Sequence, residues 1–157
     1  MVKKPTFSLN IKDEALQTLV NQCDHRTLAA WAIECVERVL PYFANAFPDD
    51  PRPRAALDTL ERWHQTGEFS MKIIRAASLS AHAAAREVGA DTPARSAARA
   101  AGQAVACAHV PEHAIAAANY ALQACHRAHS EDEPDRAVAD ERAWQHQRLL
   151  ALQEKSP

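Results

Sequence analysis

Apolar side chains recur at three- and four-residue spacing along most of the chain, the period of one face of an α-helix. Leu16, Leu19 and Val20 mark a short helix over residues 14–21, capped by Asp13. Asp24 caps a second helix whose stripe is Leu28, Ala32, Cys35, Val39, Phe43 and Phe47. Pro41 lies inside that pattern, removes one ladder hydrogen bond and should kink the helix near Val39–Leu40. The turn from Phe47 to Arg54 stops it. Asp49 or Asp50 can cap the third helix, with Pro51 or Pro53 in its first turn. That helix turns Ala56, Leu57, Leu60 and Trp63 inward and ends at Gly67, a natural residue for the left-handed C′ position.

Ser70 caps a fourth helix, Met71 to Val88, closed by Gly89. Its predicted inner face is Ile73, Ile74, Ala77, Ala81, Ala84, Ala85 and Val88. Thr92 and Pro93 start a fifth, running to about His109, with Ala94, Ala97, Ala98, Ala101, Ala104, Val105 and Ala108 inward. Val110-Pro111-Glu112 is a break, and a sixth helix carries Ile115, Ala118, Leu122 and Cys125 to about Ala128. The seventh, from near Pro134 to about Gln153, mixes Val138, Leu149, Leu150 and Leu152 with Arg142, Trp144, His146 and Arg148. So weak a stripe suits an outer or partner-contacting helix. The expectation is an all-α, single-domain bundle of six to seven helices over residues 1–157. Residues 1–12 form a loose arm in which Phe7 and Leu9 can dock, and 130–157 a peripheral C-terminal helix. So much inward alanine lets helix axes approach at the short end of the usual range of about 8–10 Å. The thicker part of the core should lie on the second, third and fourth helices.

Composition narrows the class. The chain has 157 residues, 47% hydrophobic and 24% charged, with 3 Gly, enough for one domain with its own core. A net charge of -2 gives no general attraction to nucleic acid or an anionic membrane. No apolar run is long enough to span a bilayer, and the start lacks the apolar segment of a signal peptide, so the cytoplasm is the expected compartment. Cys23, Cys35, Cys107 and Cys125 are spread without a Cys-x-x-Cys pair, and the last three read as buried small hydrophobes. No internal repeat of 20–50 residues is visible.

Chemistry is thinly supplied. His109 and His113 are four apart, a metal-ligand spacing on a helix, but Pro111 lies between them and no third ligand completes a set. His82 and His109 are expected as buried or half-buried hydrogen-bonding residues and the other histidines as exposed. No catalytic motif for acyl or phosphoryl transfer or dinucleotide binding occurs, so neither an enzyme nor a cofactor is expected. Asp49-Asp50 stand beside Arg52 and Arg54, and adjacent cations lower carboxylate pKa values rather than raising one for acid catalysis. The arrangement suits a capping and ion-pair knot with one arginine reaching back to the carbonyls of the second helix; the alternative is a recognition fork. The acidic run Ser130 to Asp135 reads as a solvated loop.

A resemblance adds a function. His25, Trp31-Ala32, Cys35, Val39-Leu40, Phe43, the run Asp50 to Ala55, Trp63 and Gly67 resemble the all-helical immunity proteins of bacterial polymorphic toxin systems, the family numbered five in that series. Ala83 to Arg86, Ala97 to Ala100, Ala108-His109-Val110, His113-Ala114 and Tyr120-Ala121 extend the likeness over roughly residues 24–128. The chain departs from the pattern at Gln103-Ala104, where a His-Ala pair is expected. The resemblance implies a cytoplasmic protein that neutralises a cognate toxin by binding and occluding it, with no nucleic-acid or membrane partner. Asp49, Asp50, Arg52, Arg54, Trp63, His82, His109 and His113 are the candidate contact residues, and the acidic patches at Asp49-Asp50 and Glu131 to Asp135 the first candidate surfaces. The competing classes are a small-molecule- or metal-binding bundle using His82, His109 and His113, and a homo-oligomeric scaffold joined around Trp144.

Overall fold

The computed structural model describes residues 6–156. They form eight helices and no strand: α1 (Glu14–Gln22), α2 (His25–Glu37), α3 (Leu40–Ala46), α4 (Arg52–Thr66), α5 (Met71–Val88), α6 (Pro93–Ala106), α7 (His113–Ala128) and α8 (Pro134–Lys155). The extra helix comes from Pro41. The ladder breaks where a kink was expected: α2 stops at Glu37, the Val39 N–H turns back to the Val36 carbonyl at 3.0 Å, and Pro41 sits in the first turn of α3. The α6 helix ends three residues before His109, because Cys107, Ala108 and His109 donate to Ala104, Val105 and Ala106 in tight i→i−3 turns.

The local signals place most boundaries. Asp13 and Asp24 accept the N–H groups of Leu16 and Thr27 at 3.0 and 2.7 Å, capping α1 and α2. Ser70 and Thr92 cap α5 and α6 in the same way. Gly67 and Gly89 end α4 and α5 at φ 72° and 75°, the left-handed region where a Cβ is unfavourable.

The α6 helix is the axle of the bundle. It packs against α7, α5, α4, α3 and α2, and nine of its residues, from Ala94 to Val105, are buried. Seven of the nine are Ala or Gly, so the rod is thin enough for neighbours to close around it. Bulk comes from the surrounding helices: Leu28, Trp31 and Val36 of α2, Leu40 and Phe43 of α3, Leu57 and Leu60 of α4. The thick region therefore lies on α2, α3 and α4, the second and third helices of the sequence reading, and not on the expected fourth, α5. Helix α5 contributes one large fully inward side chain, Ile74; Ile73, expected on the inner face, is 57% exposed because its 100° step from Ile74 carries it to the rim of the α4–α5 groove.

Helix α8 packs chiefly on α7 and α2, and lightly on α1. Its inward line is Glu141, Gln145 and Leu149, one residue per turn. Two of the three are polar, so apolar periodicity cannot show the face. The polar groups are satisfied. Trp31 Nε1 donates to the Gln145 carbonyl at 2.8 Å, and Gln145 Nε2 donates to the Ala118 carbonyl at 3.0 Å. Glu141 takes a bidentate pair from Arg38 at 2.7 and 2.8 Å, and Glu34 of α2 takes one from Arg148.

The expected arm over residues 1–12 falls partly outside the described residues. From Thr6 to Lys12 the chain is non-helical, and Phe7 meets the ring of His126 at 5.5 Å between centroids. Among the described residues no helix is long and apolar enough to cross a membrane.

Candidate functional site

The Asp-Pro-Arg-Pro-Arg turn between α3 and α4 is a knot of ion pairs. Asp50 accepts the Arg52 backbone N–H at 3.1 Å and both Nε and a terminal nitrogen of the same guanidinium at 2.9 and 2.7 Å. Arg52 also bridges to Glu87 of α5. The guanidinium beside it holds the Asp50 carboxyl below its usual range. Arg54 turns the other way, to Glu37 of α2 at 2.8 and 3.0 Å. The two arginines thus clamp separate helices and make no common fork, and each reaches a carboxylate where the sequence suggested a carbonyl of the second helix. Asp50 supplies the capping contact from one residue before the N-cap, and Asp49 stays exposed.

Trp63 is half-buried and meets the His25 ring at a tilt of 44° with centroids 4.6 Å apart. His25 Nε2 lies 2.5 Å from the Cys107 carbonyl, so this pair ties α4 and α2 to the end of α6.

The three candidate histidines separate. His82 and His113 border the same side of α6. His82 Nδ1 accepts from Arg99 at 2.9 Å, which places the proton of the neutral ring on Nε2, and His113 Nδ1 pairs with the Gln103 side-chain oxygen at 2.7 Å. The His82 ring lies flat on the Gly102 backbone, and the Ser78 hydroxyl donates to the Gly102 carbonyl at 2.9 Å. Burial, then the charges of Arg99, Arg86 and His113, push the His82 pKa down to about 4. His109 is exposed, against expectation, and meets Phe69 at 6.1 Å instead. The helix ends short of it, so it rides on a turn rather than on the inward face.

A guanidinium on the lone pair of His82 occupies the position a cation would need. Among the described residues no three His, Cys, Asp or Glu are grouped to hold a metal. The thiols are shielded too: burial pushes Cys107 and Cys125 up to about 12 and Cys35 well above its ordinary value, as befits small core residues. His126, expected exposed, is 4% exposed, because α7 turns its last-turn ring under Phe7.

Sequence reasoning named Gln103 only as a departure from the family pattern and missed that His82 and His113 meet Arg99, Gly102 and Gln103. Their i, i+3, i+4 spacing on one helix was the available signal; it was hidden in the alanine background. It also missed the apolar edge. Phe69, Met71, Ile73 and Leu79 are 49%, 37%, 57% and 60% exposed, four of the six exposed large hydrophobics among the described residues. Trp63, Phe69, Ile73 and Ile74 line a groove of about 300 Å³ between α4 and α5.

The described residues form an all-helical bundle with exposed apolar side chains concentrated on α5 and the turn before it. Residues 18–152 match the family described as Imm-5 like putative immunity protein, and the chain belongs to that family. No curated protein and no solved structure matches the chain.

Proposed function

We propose that this protein neutralises a cognate bacterial toxin by binding it directly and covering the surface the toxin works with. The observation that carries the reading, beside the family match over residues 18–152, is the concentration of exposed large apolar side chains, Phe69, Met71, Ile73 and Leu79, on α5 and the turn before it. Exposed apolar side chains cost hydration free energy, and a concentration of them on one element is commonly used at a partner interface. Occlusion needs no reacting group in the inhibitor, and a rigid surface loses little entropy on docking. The neutral, arginine-bound His82 and the buried thiols fit a structural part in that scheme.

The test is co-expression with the toxin domain encoded beside the gene. The expected result is restored growth and a stoichiometric complex that survives size-exclusion chromatography. Restored growth without a complex, or a toxin that is chemically altered by this protein, would sink direct occlusion.

A further inference from the structure

The charges of this nearly neutral chain are segregated. From Phe69 to Arg86 there is no Asp or Glu, while Lys72, Arg75 and Arg86 fall within the same stretch. Spacings of three, four and seven residues put Lys72, Arg75, Leu79 and Arg86 on one side of α5. All four are exposed, and at 60% Leu79 is the most exposed large apolar residue described. Arg99 of α6 extends the same surface through its bond to His82. Among the described residues, no carboxylate oxygen comes within 4.0 Å of Lys72, Arg75, Arg86 or Arg99, as is also true of the scattered Lys12, Arg26, Arg62 and Lys155, whereas Arg38, Arg52, Arg54 and Arg148 are all paired. Burial lowers the His82 pKa first, and the charges of Arg99 and Arg86 lower it further.

The acidic run Glu131 to Asp135 offers charge without any of the exposed large apolar side chains. Helix α5 offers both, in the arrangement of an interface anchor: an aliphatic centre with a charged rim. Nucleic acid is the poorer match, because the side chain at the centre of this face, Leu79, is aliphatic and gives bases nothing to stack on.

We propose that the outer face of α5 is the toxin-docking surface, and that its complement on the toxin is an acidic segment bearing an apolar side chain that seats on Leu79. The inference rests on the toxin-binding reading above and names the face and the chemistry of the partner. Arg75 and Arg86 pair with the segment's carboxylates and speed capture, while contact at Leu79 sets the residence time.

The experiment measures association of the full-length protein with the inactivated toxin domain from the neighbouring gene, at low and high salt. Three variants are compared: Arg75→Glu with Arg86→Glu, Leu79→Ser, and a control with Glu131→Gln, Asp132→Asn, Glu133→Gln and Asp135→Asn. Circular dichroism checks folding, which substitutions at exposed positions should leave intact. The arginine pair is expected to slow association about tenfold and abolish its salt dependence, and Leu79→Ser to speed dissociation about tenfold. The control should bind as the unmodified protein does. Wild-type binding by both α5 variants, or loss of binding in the control, overturns the α5 assignment while leaving toxin binding intact. Failure of the unmodified protein to bind overturns the toxin reading, and the partner named here with it. Binding of a labelled 20-nucleotide single-stranded RNA that the arginine variant loses would overturn a protein partner, as would a dimer in light scattering that Leu79→Ser dissolves.

Discussion

The imidazole of His82 occupies the space that a Cβ on Gly102 would need: such an atom would stand 2.7 Å from Nε2 and 2.8 Å from Cε1. The contact is one of the closest between α5 and α6, beside the Ser78 and Arg99 hydrogen bonds. Gly102→Ala should gain about 1 kcal/mol of helix propensity and lose more by displacing a ring held by Arg99. A net destabilisation of about 1–2 kcal/mol is expected in urea denaturation. His82→Ala should restore the Gly102→Ala variant to near its own single-variant stability; an additive loss would show that the ring is not what the Cβ meets.

The same ring sets a pH dependence. An ordinary histidine titrates at 6.5, but in the folded chain His82 is held down to about 4. Between those values the unfolded chain takes up a proton that the native one refuses. Stability is therefore intact above pH 6.5 and falls as the pH drops toward 4, by about 1–2 kcal/mol after solvent screening. The carboxyls of Asp24, Glu37, Asp50 and Glu87 are depressed, so their contributions persist above their ordinary pKa values of 3.8–4.5 and fade below them. Melts at pH 7 and pH 4.5 should separate the two ranges. His82→Gln should lose less stability across that interval than the unmodified protein.

Trp31 and Gln145 anchor the last helix. Both are fully buried, and the indole N–H donates to the Gln145 carbonyl at 2.8 Å. Trp31→Phe keeps most of the apolar bulk and removes the donor, so a loss of about 2–3 kcal/mol is expected. Hydrogen exchange should show the cost unevenly, with amides of α8 accelerated more than those of α6. Equal acceleration in both helices would mean that α8 does not open separately.

Asp49 and Asp50 are adjacent in sequence and unequal in role. Asp50 holds an N–H and the Arg52 guanidinium, whereas Asp49 is exposed. Asp50→Ala should cost about 1 kcal/mol, and Asp49→Ala close to none, in thermal denaturation at neutral pH. Equal losses would show that the acidic pair, and not the single clamp, stabilises the turn.

Particular residues show which features could be read before folding. Asp13, Asp24, Ser70 and Thr92 act within three residues of themselves, so their caps are local facts visible in the chain. The α6 face was equally plain, since Ala94, Ala97, Ala98, Ala101, Ala104, Val105 and Ala108 are all buried. Pro41 was visible, but whether it bends or breaks a helix depends on the packing of Val39 and Leu40 on either side. The inward line of α8 was obscured because Glu141 and Gln145 are buried only through partners on other helices, Arg38, Trp31 and Ala118. The site suffered for the same reason. His109 and His113 are near in sequence, yet Phe69 and Gln103 draw them apart, and His82 meets Arg99 across two helices.

Alanine on the faces that α6 turns to its neighbours makes the hub asymmetric toward change. Shortening a side chain there has little left to remove, while enlarging Ala97 or Ala101 would wedge apart several neighbours at once. Variation is thereby steered outward, toward positions such as Lys72 and Leu79 that touch nothing in the centre. A bundle so constrained can change the character of a single outer helix while its interior stays as it was.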